Sequence, residues 1–266
     1  MKRITKVFQD CARNGTKAFV PYIAAGDPNP QKTAEMLVYL ADHGADIIEV
    51  GVPFSDPMAD GPVIQTAMER ALEAGATLRK ILDLVKWFRN LYSTPIIMMG
   101  YYNPFYAHGL EKFARDARAS GVDGVLTVDL PPEEAREFHG LLKKEGIASI
   151  FLLTPVSDAK RISAVKKVAG GFVYFVSVTG VTGERNTLPE EIKEKMVEIK
   201  REIPLPLVLG FGISGPDVVR NFYPYGDGFV VGSALIKRWV EAGFSLERES
   251  DFHPFYKSLV EACRGR

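Results

Sequence analysis

The chain is poor in cysteine. Cys11 and Cys263 are its only two, near opposite ends of 266 residues. That excludes a disulfide framework and points to a reducing compartment, the cytoplasm. No charge of either sign is in excess, with 33 Lys and Arg against 33 Asp and Glu. There is then no global basic field to recruit nucleic acid or an anionic membrane, and an anionic substrate needs a local site. No apolar run approaches the roughly 20 residues that cross a bilayer. The first 15 residues are polar and charged, unlike the apolar core of a signal peptide.

Other absences narrow the chemistry. The four histidines, His43, His108, His139 and His253, are scattered and fall outside the strand-like runs, so no metal-ligand cluster is expected. Those runs carry no lysine, which argues against a Schiff-base aldolase. No GxSxG nucleophile motif occurs, and no GxGxxG follows the first run to hold a dinucleotide. Neither a metal nor a cofactor is expected.

What is present is a rhythm. Eight nearly continuous apolar runs, about six to nine residues each, occupy 18–26, 46–53, 95–101, 124–129, 148–154, 172–178, 206–212 and 228–233. Runs of this kind read as parallel strands buried on both faces. Stretches with helical spacing lie between them at 31–43, 78–91, 132–145, 190–201, 216–222 and 234–241. The third of these opens with proline, which suits a first helical turn. Strand alternating with helix eight times predicts one (β/α)8 TIM barrel over residues 1–266. An open doubly wound sheet is the alternative that periodicity alone leaves standing. A helix at about 4–12 precedes the first strand and is placed to cover the barrel bottom. The roughly 50 residues between the second and third strands hold a loop at 54–61 and an extra helix at 62–73. Insertions in barrels favour the βα loops of the active face.

Three late strands end in glycine-rich turns: Gly180-Val181-Thr182-Gly183, Gly210-Phe211-Gly212-Ile213-Ser214 and Gly232-Ser233-Ala234. Any one of them serves as a tight turn. Together, at the end of a barrel where phosphate often binds, they suit an anion held by backbone N–H groups. Gly183, Gly212, Gly232 and Ser233 are assigned to that site, with Ser214 as a second hydroxyl donor.

Glu49 is the most informative residue. It lies inside an apolar strand, and alternation puts it on the face opposite Ile48 and Val50. The helix-facing layer would not hold an unpaired charge, so Glu49 points into the barrel near its mouth. A partly desolvated carboxyl there has a raised pKa, suited to proton transfer near neutrality. A structural ion pair is the competing reading, but the strands offer no basic partner. Asp60 precedes Gly61-Pro62, and capping of the next helix and ligand binding fit it equally. Asp56 and Asp27 read first as turn residues, and Asp129 as a cap or a partner to another site group. Phe19, Tyr22, Tyr101, Tyr174 and Phe211 are candidates to line an apolar mouth.

The second strand and its loop, Glu49-Val50-Gly51-Val52-Pro53-Phe54-Ser55-Asp56-Pro57 followed by Ala59-Asp60-Gly61-Pro62-Val63-Ile64-Gln65, resemble the signature of tryptophan synthase alpha chains. Phe19-Val20-Pro21-Tyr22, Ala25-Gly26-Asp27-Pro28 and the three glycine turns extend the resemblance, in order, over nearly the whole chain. Ala24 departs from it, standing where many members carry threonine, and 245–266 contains no motif of the family. The resemblance implies retro-aldol cleavage of indole-3-glycerol phosphate to indole and glyceraldehyde 3-phosphate. It implies Glu49 as general acid–base and Asp60 as acceptor of the indole N–H. It implies Tyr174 as an active-site tyrosine and Phe211 as an indole contact, beside Phe19 and Tyr101 as further candidate substrate contacts, and Gly183, Gly212, Gly232 and Ser233 would take the phosphate. It also implies a pyridoxal-phosphate beta chain as partner in a heterotetramer, with loops 53–60 and 179–188 as contact and lid. The alternatives are another phosphate-binding barrel, such as a sugar-phosphate isomerase or epimerase, or a subunit that mainly activates a partner.

Overall fold

The computed structural model describes residues 2–176, 189–210 and 212–266. Eight strands, β1 (Ala18–Ala24), β2 (Ile48–Gly51), β3 (Ile96–Gly100), β4 (Gly124–Thr127), β5 (Ala148–Leu153), β6 (Val173–Val176), β7 (Leu207–Gly210) and β8 (Gly228–Val231), pair in parallel. β8 closes back on β1 to make a barrel. The helices are α1 (Lys2–Asn14), α2 (Pro30–Asp42), α3 (Pro62–Glu73), α4 (Leu78–Arg89), α5 (Tyr102–His108) and α6 (Leu110–Ser120). They continue with α7 (Arg136–Lys144), α8 (Ala159–Val168), α9 (Glu190–Glu202), α10 (Pro216–Phe222), α11 (Ser233–Glu241) and α12 (Phe252–Cys263). The fold is the expected (β/α)8 barrel, with its extra helix α3 after β2.

Alternation along each strand divides the core in two. Ala18, Val20, Tyr22, Ile97, Leu126, Ile150, Tyr174, Val208 and Val230 face inward and fill the barrel. Phe19, Ile23, Ile48, Val50, Met98, Phe175 and Phe229 face outward against the helices. The N-terminal helix α1 closes the bottom. Its Ile4, Phe8 and Cys11 join the inner cluster, and Phe8 meets Phe172 edge-on with centroids 5.8 Å apart.

The bottom is stitched by aspartates. Asp46, Asp123 and Asp227 stand just before β2, β4 and β8. Each accepts from a backbone N–H of the preceding strand: Phe19 at 2.7 Å, Ile96 at 3.1 Å and Leu207 at 2.8 Å. Each is also matched by a cation. Arg264 pairs with Asp46, Arg3 and Arg89 with Asp123, and Lys200 with Asp227.

Two local expectations need correction. The helix expected over 132–145 starts only at Arg136, because the Pro131 carbonyl accepts from the amides of Glu134 and Ala135 and closes a separate turn ahead of it. The pair α5 and α6 was not anticipated, since Gly109 between them, at φ +88°, breaks the helical period.

Candidate active site

A cavity of about 490 Å³ opens at the C-terminal ends of the strands. Its inner wall includes Tyr22, Glu49, Met99, Tyr174 and Val230. Val63 and Ile64 of α3 form one side, and Gly212, Ser214, Gly232 and Ser233 the other. Two tyrosines brace the inner wall by the same device. A Cβ on Gly51 would lie 2.1 Å from the Tyr22 hydroxyl, and one on Gly210 would lie 2.1 Å from the Tyr174 hydroxyl. Each glycine lies two residues beyond the tyrosine's partner in the neighbouring strand, Glu49 for Tyr22 and Val208 for Tyr174. The missing side chain lets the ring lie over the next strand.

Glu49 is 1% exposed, and neither carboxyl oxygen has a hydrogen-bond partner among the described residues. Burial, reinforced by the negative charge of Asp60, pushes its pKa up to about 8. At neutral pH it therefore carries a proton that it can give away.

Asp60 does not cap α3. That position belongs to Gly61, with no side-chain bond. Asp60 is instead buried, and its Oδ2 accepts from the Tyr101 hydroxyl at 2.7 Å. Oδ1 is left buried and unpartnered. Burial raises its pKa, and the Tyr101 hydrogen bond offsets part of that rise. Glu49 and Asp60 together supply three of the five unpartnered buried side-chain polar atoms among the described residues, and the Tyr22 hydroxyl, on the same wall, is a fourth. Unsatisfied polar atoms are costly in a folded core. Three of them, on Tyr22 and Glu49, line the cavity, while Asp60 directly precedes the lining residue Gly61. Such a group is the mark of a site completed by a ligand.

The structure sorts the remaining expected residues. Tyr174, Gly212, Gly232 and Ser233 line the cavity. Ser233 opens α11, so the free amides of that helix's first turn face the same end. Gly183, Phe211 and loop 179–188 lie outside the described residues. Phe19 does not line the cavity. It shares the outward face with Ile23, and its ring packs at 5.3 Å against Tyr256 of α12. Tyr22, on the inward face of the same strand, stands in the place expected for it. Tyr101 is not on the cavity surface either. Its hydroxyl accepts from the Ala59 amide at 3.0 Å while donating to Asp60, so it positions a carboxylate and holds the loop. Asp27 is more than a turn residue: it is 1% exposed and forms a two-pronged pair with Arg70 of α3 at 2.7 and 2.8 Å. Asp129 accepts from the Tyr102 amide at 2.7 Å and so anchors the start of α5.

Several lining residues escaped the sequence reading. Lys237, Arg238 and Glu241 on α11 and Phe255 on α12 border the cavity. A signal for the first two existed, because they follow Ser233 and Ala234 by one helical turn and so share their face. Phe255 carried none, since only the fold brings α12 beside α11.

The closed parallel barrel and its cavity, with a protonated carboxyl at one end and a helix N-terminus at the other, define a (β/α)8-barrel enzyme. A model of the tryptophan synthase alpha chain matches residues 8–256. A curated alpha chain from Geobacter sulfurreducens is 54% identical over 262 residues, covering 98% of this chain and 99% of that one. Among solved structures, tryptophan synthase subunit alpha from Legionella pneumophila superposes with a TM-score of 0.90 at 37% identity, covering 99% of both chains. A tryptophan synthase complex from Pyrococcus furiosus gives a TM-score of 0.81 at 39% identity, covering 94% of this chain and 100% of that one. The chain belongs to the tryptophan synthase alpha chain family.

Proposed function

We propose that Glu49 and Asp60 carry, in this chain, the reaction of its family: retro-aldol cleavage of indole-3-glycerol phosphate to indole and glyceraldehyde 3-phosphate. The chain is a carbon–carbon lyase of tryptophan biosynthesis. The observation that carries the assignment is a pair of buried carboxyls with three unpartnered oxygens among the described residues, Glu49 on the cavity wall and Asp60 next to the lining residue Gly61.

The chemistry follows from their different environments. Protonated Glu49 delivers its proton to indole C3, and the ring becomes an indolenine with positive charge centred on its N–H. Asp60 is tied at Oδ2 by Tyr101, so Oδ1 accepts that N–H and its charge stabilises the cation. Glu49, now a carboxylate, takes the proton of the adjacent substrate hydroxyl. The C–O bond becomes C=O, the C–C bond breaks, and its electron pair restores the aromatic ring. Glu49 ends protonated, as it began. The phosphate lies at the far end, on the amides around Gly212, Gly232 and Ser233. Gly183 and Phe211 are proposed to complete that end and the indole contact.

The chain works with a tryptophan synthase beta chain, in keeping with the Pyrococcus furiosus complex. Loop 53–60 is proposed as part of the contact. Phe54 of that loop folds back onto the Tyr101 ring at 5.3 Å, while Met58 is 84% exposed. We place the enzyme in the cytoplasm, where its two buried cysteines persist as thiols. Among the described residues no helix is long and apolar enough to cross a membrane.

The test is indole release from indole-3-glycerol phosphate by wild type and Glu49→Gln, each with and without a beta chain. The variant is expected to lose roughly a hundredfold or more in turnover while still binding substrate. Near-normal turnover removes Glu49 from the mechanism, and no indole from wild type returns the site to sugar-phosphate chemistry.

A further inference from the structure

We propose that Lys237 and Arg238 form a charge clamp for the substrate's phosphate, exchanging their pairing with Glu241 for the dianion. The inference rests on the placement of the phosphate at the start of α11.

Lys237 and Arg238 are the only basic side chains among the described residues lining the cavity. They sit one turn below Ser233 and Ala234 on α11, on the same faces. Side chains on a helix lean towards its N-terminus. Their long stems therefore lead back to the first turn, where the phosphate would meet the free amides. An organic phosphate carries nearly two negative charges near neutral pH, more than the partial charge of a helix end balances. The two cations supply the remainder.

Their present partner is poor. Glu241 lies 3.9 Å from the Lys237 ammonium and 3.8 Å from the Arg238 guanidinium, and all three side chains are about half exposed or more. Long, solvated pairs of this kind contribute little, so either cation leaves at small cost. Glu241 also lines the cavity, where its own charge repels an arriving dianion until the cations screen it. Arg238 has a second hold, its guanidinium lying over the Phe255 ring at 5.2 Å. That contact keeps the charge at the rim and gives the C-terminal helix α12 a part in substrate recognition.

The clamp is tested with the whole chain, by measuring KM for indole-3-glycerol phosphate and the inhibition constant of glycerol 3-phosphate at low and high salt. The Lys237→Gln/Arg238→Gln double variant is expected to raise both constants about fivefold at low salt, with kcat within about twofold of wild type. Its constants should vary less with salt than those of wild type, because screening acts on the charges that were removed. Binding of indole, which has no phosphate, should not change. Glu241→Gln should move the other way and tighten glycerol 3-phosphate about twofold. These side chains are exposed, so loss of fold does not confuse the result. Unchanged inhibition in the double variant, an undiminished salt dependence, or weaker binding in Glu241→Gln overturns the clamp. If wild type releases indole and binds glycerol 3-phosphate, those results leave the function intact. If glycerol 3-phosphate does not compete in wild type, the phosphate site and the clamp fall together.

Discussion

The two ends of this barrel hold the same kind of side chain in opposite states. At the bottom, Asp46, Asp123 and Asp227 each bind a backbone amide and at least one cation. At the mouth, Glu49 has no hydrogen-bond partner among the described residues and Asp60 has one for a single oxygen. Both sets include deeply buried carboxyls, since Asp123 is 3% exposed and Glu49 1%. Burial therefore does not separate structural from functional carboxyls, but partners do. A carboxylate that is paired with a cation and bonded to the backbone ties strand to strand. One left unpaired takes up a proton and becomes an acid.

If that contrast is correct, the largest loss of stability comes from the bottom. Asp123→Ala leaves the Ile96 amide without its acceptor and the Arg89 and Arg3 guanidinium groups without their carboxylate, and should cost about 3 kcal/mol or more in chemical denaturation. The molecules that stay folded should keep their turnover, and a parallel fall in kcat would blur the two ends. Next comes Tyr101→Phe at the mouth. It frees the second oxygen of Asp60, so kcat/KM should fall about tenfold while the melting temperature moves little. An unchanged rate would make Tyr101 part of the frame and not of the site.

A smaller effect, of opposite sign, is expected from Glu49→Gln on stability. The folded pKa of about 8 lies above the ordinary value of 4.5. Between those values the unfolded chain has released the proton and the folded chain has not, so stability is lost as pH rises from about 4.5 to about 8. Glutamine removes this penalty. The variant should melt a few degrees above wild type at pH 8.5, and the gain should shrink towards pH 5. A variant less stable than wild type at pH 8.5 would mean that Glu49 is paired after all. The smallest effect is reserved for Phe19→Leu, which should cost about 1 kcal/mol of packing against Tyr256 and leave the KM for substrate unchanged. A raised KM would put Phe19 back in the site.

Eight apolar runs alternating with helices announced a parallel sheet covered on both faces, and the pairing of β8 with β1 closed it into a barrel rather than an open doubly wound sheet. The inward direction of Glu49 was legible in the sequence too, since a period of two sets it opposite Ile48 and Val50, which pack against the helices. The glycine turns that end the late strands were legible for the same local reason. Strand parity was equally available for Phe19, whose outward face follows from that of Ile23, although an aromatic near the mouth reads as a ligand contact until its partner is seen. What each carboxyl meets became visible in the folded chain alone. Tyr101 reaches Asp60 across 41 positions of sequence, Arg70 reaches Asp27 across 43, and Phe255 comes beside Arg238 through the return of α12. Partnership depends on distance through space. Local pattern sets which way a side chain points, and closure of the barrel sets what waits there to receive it.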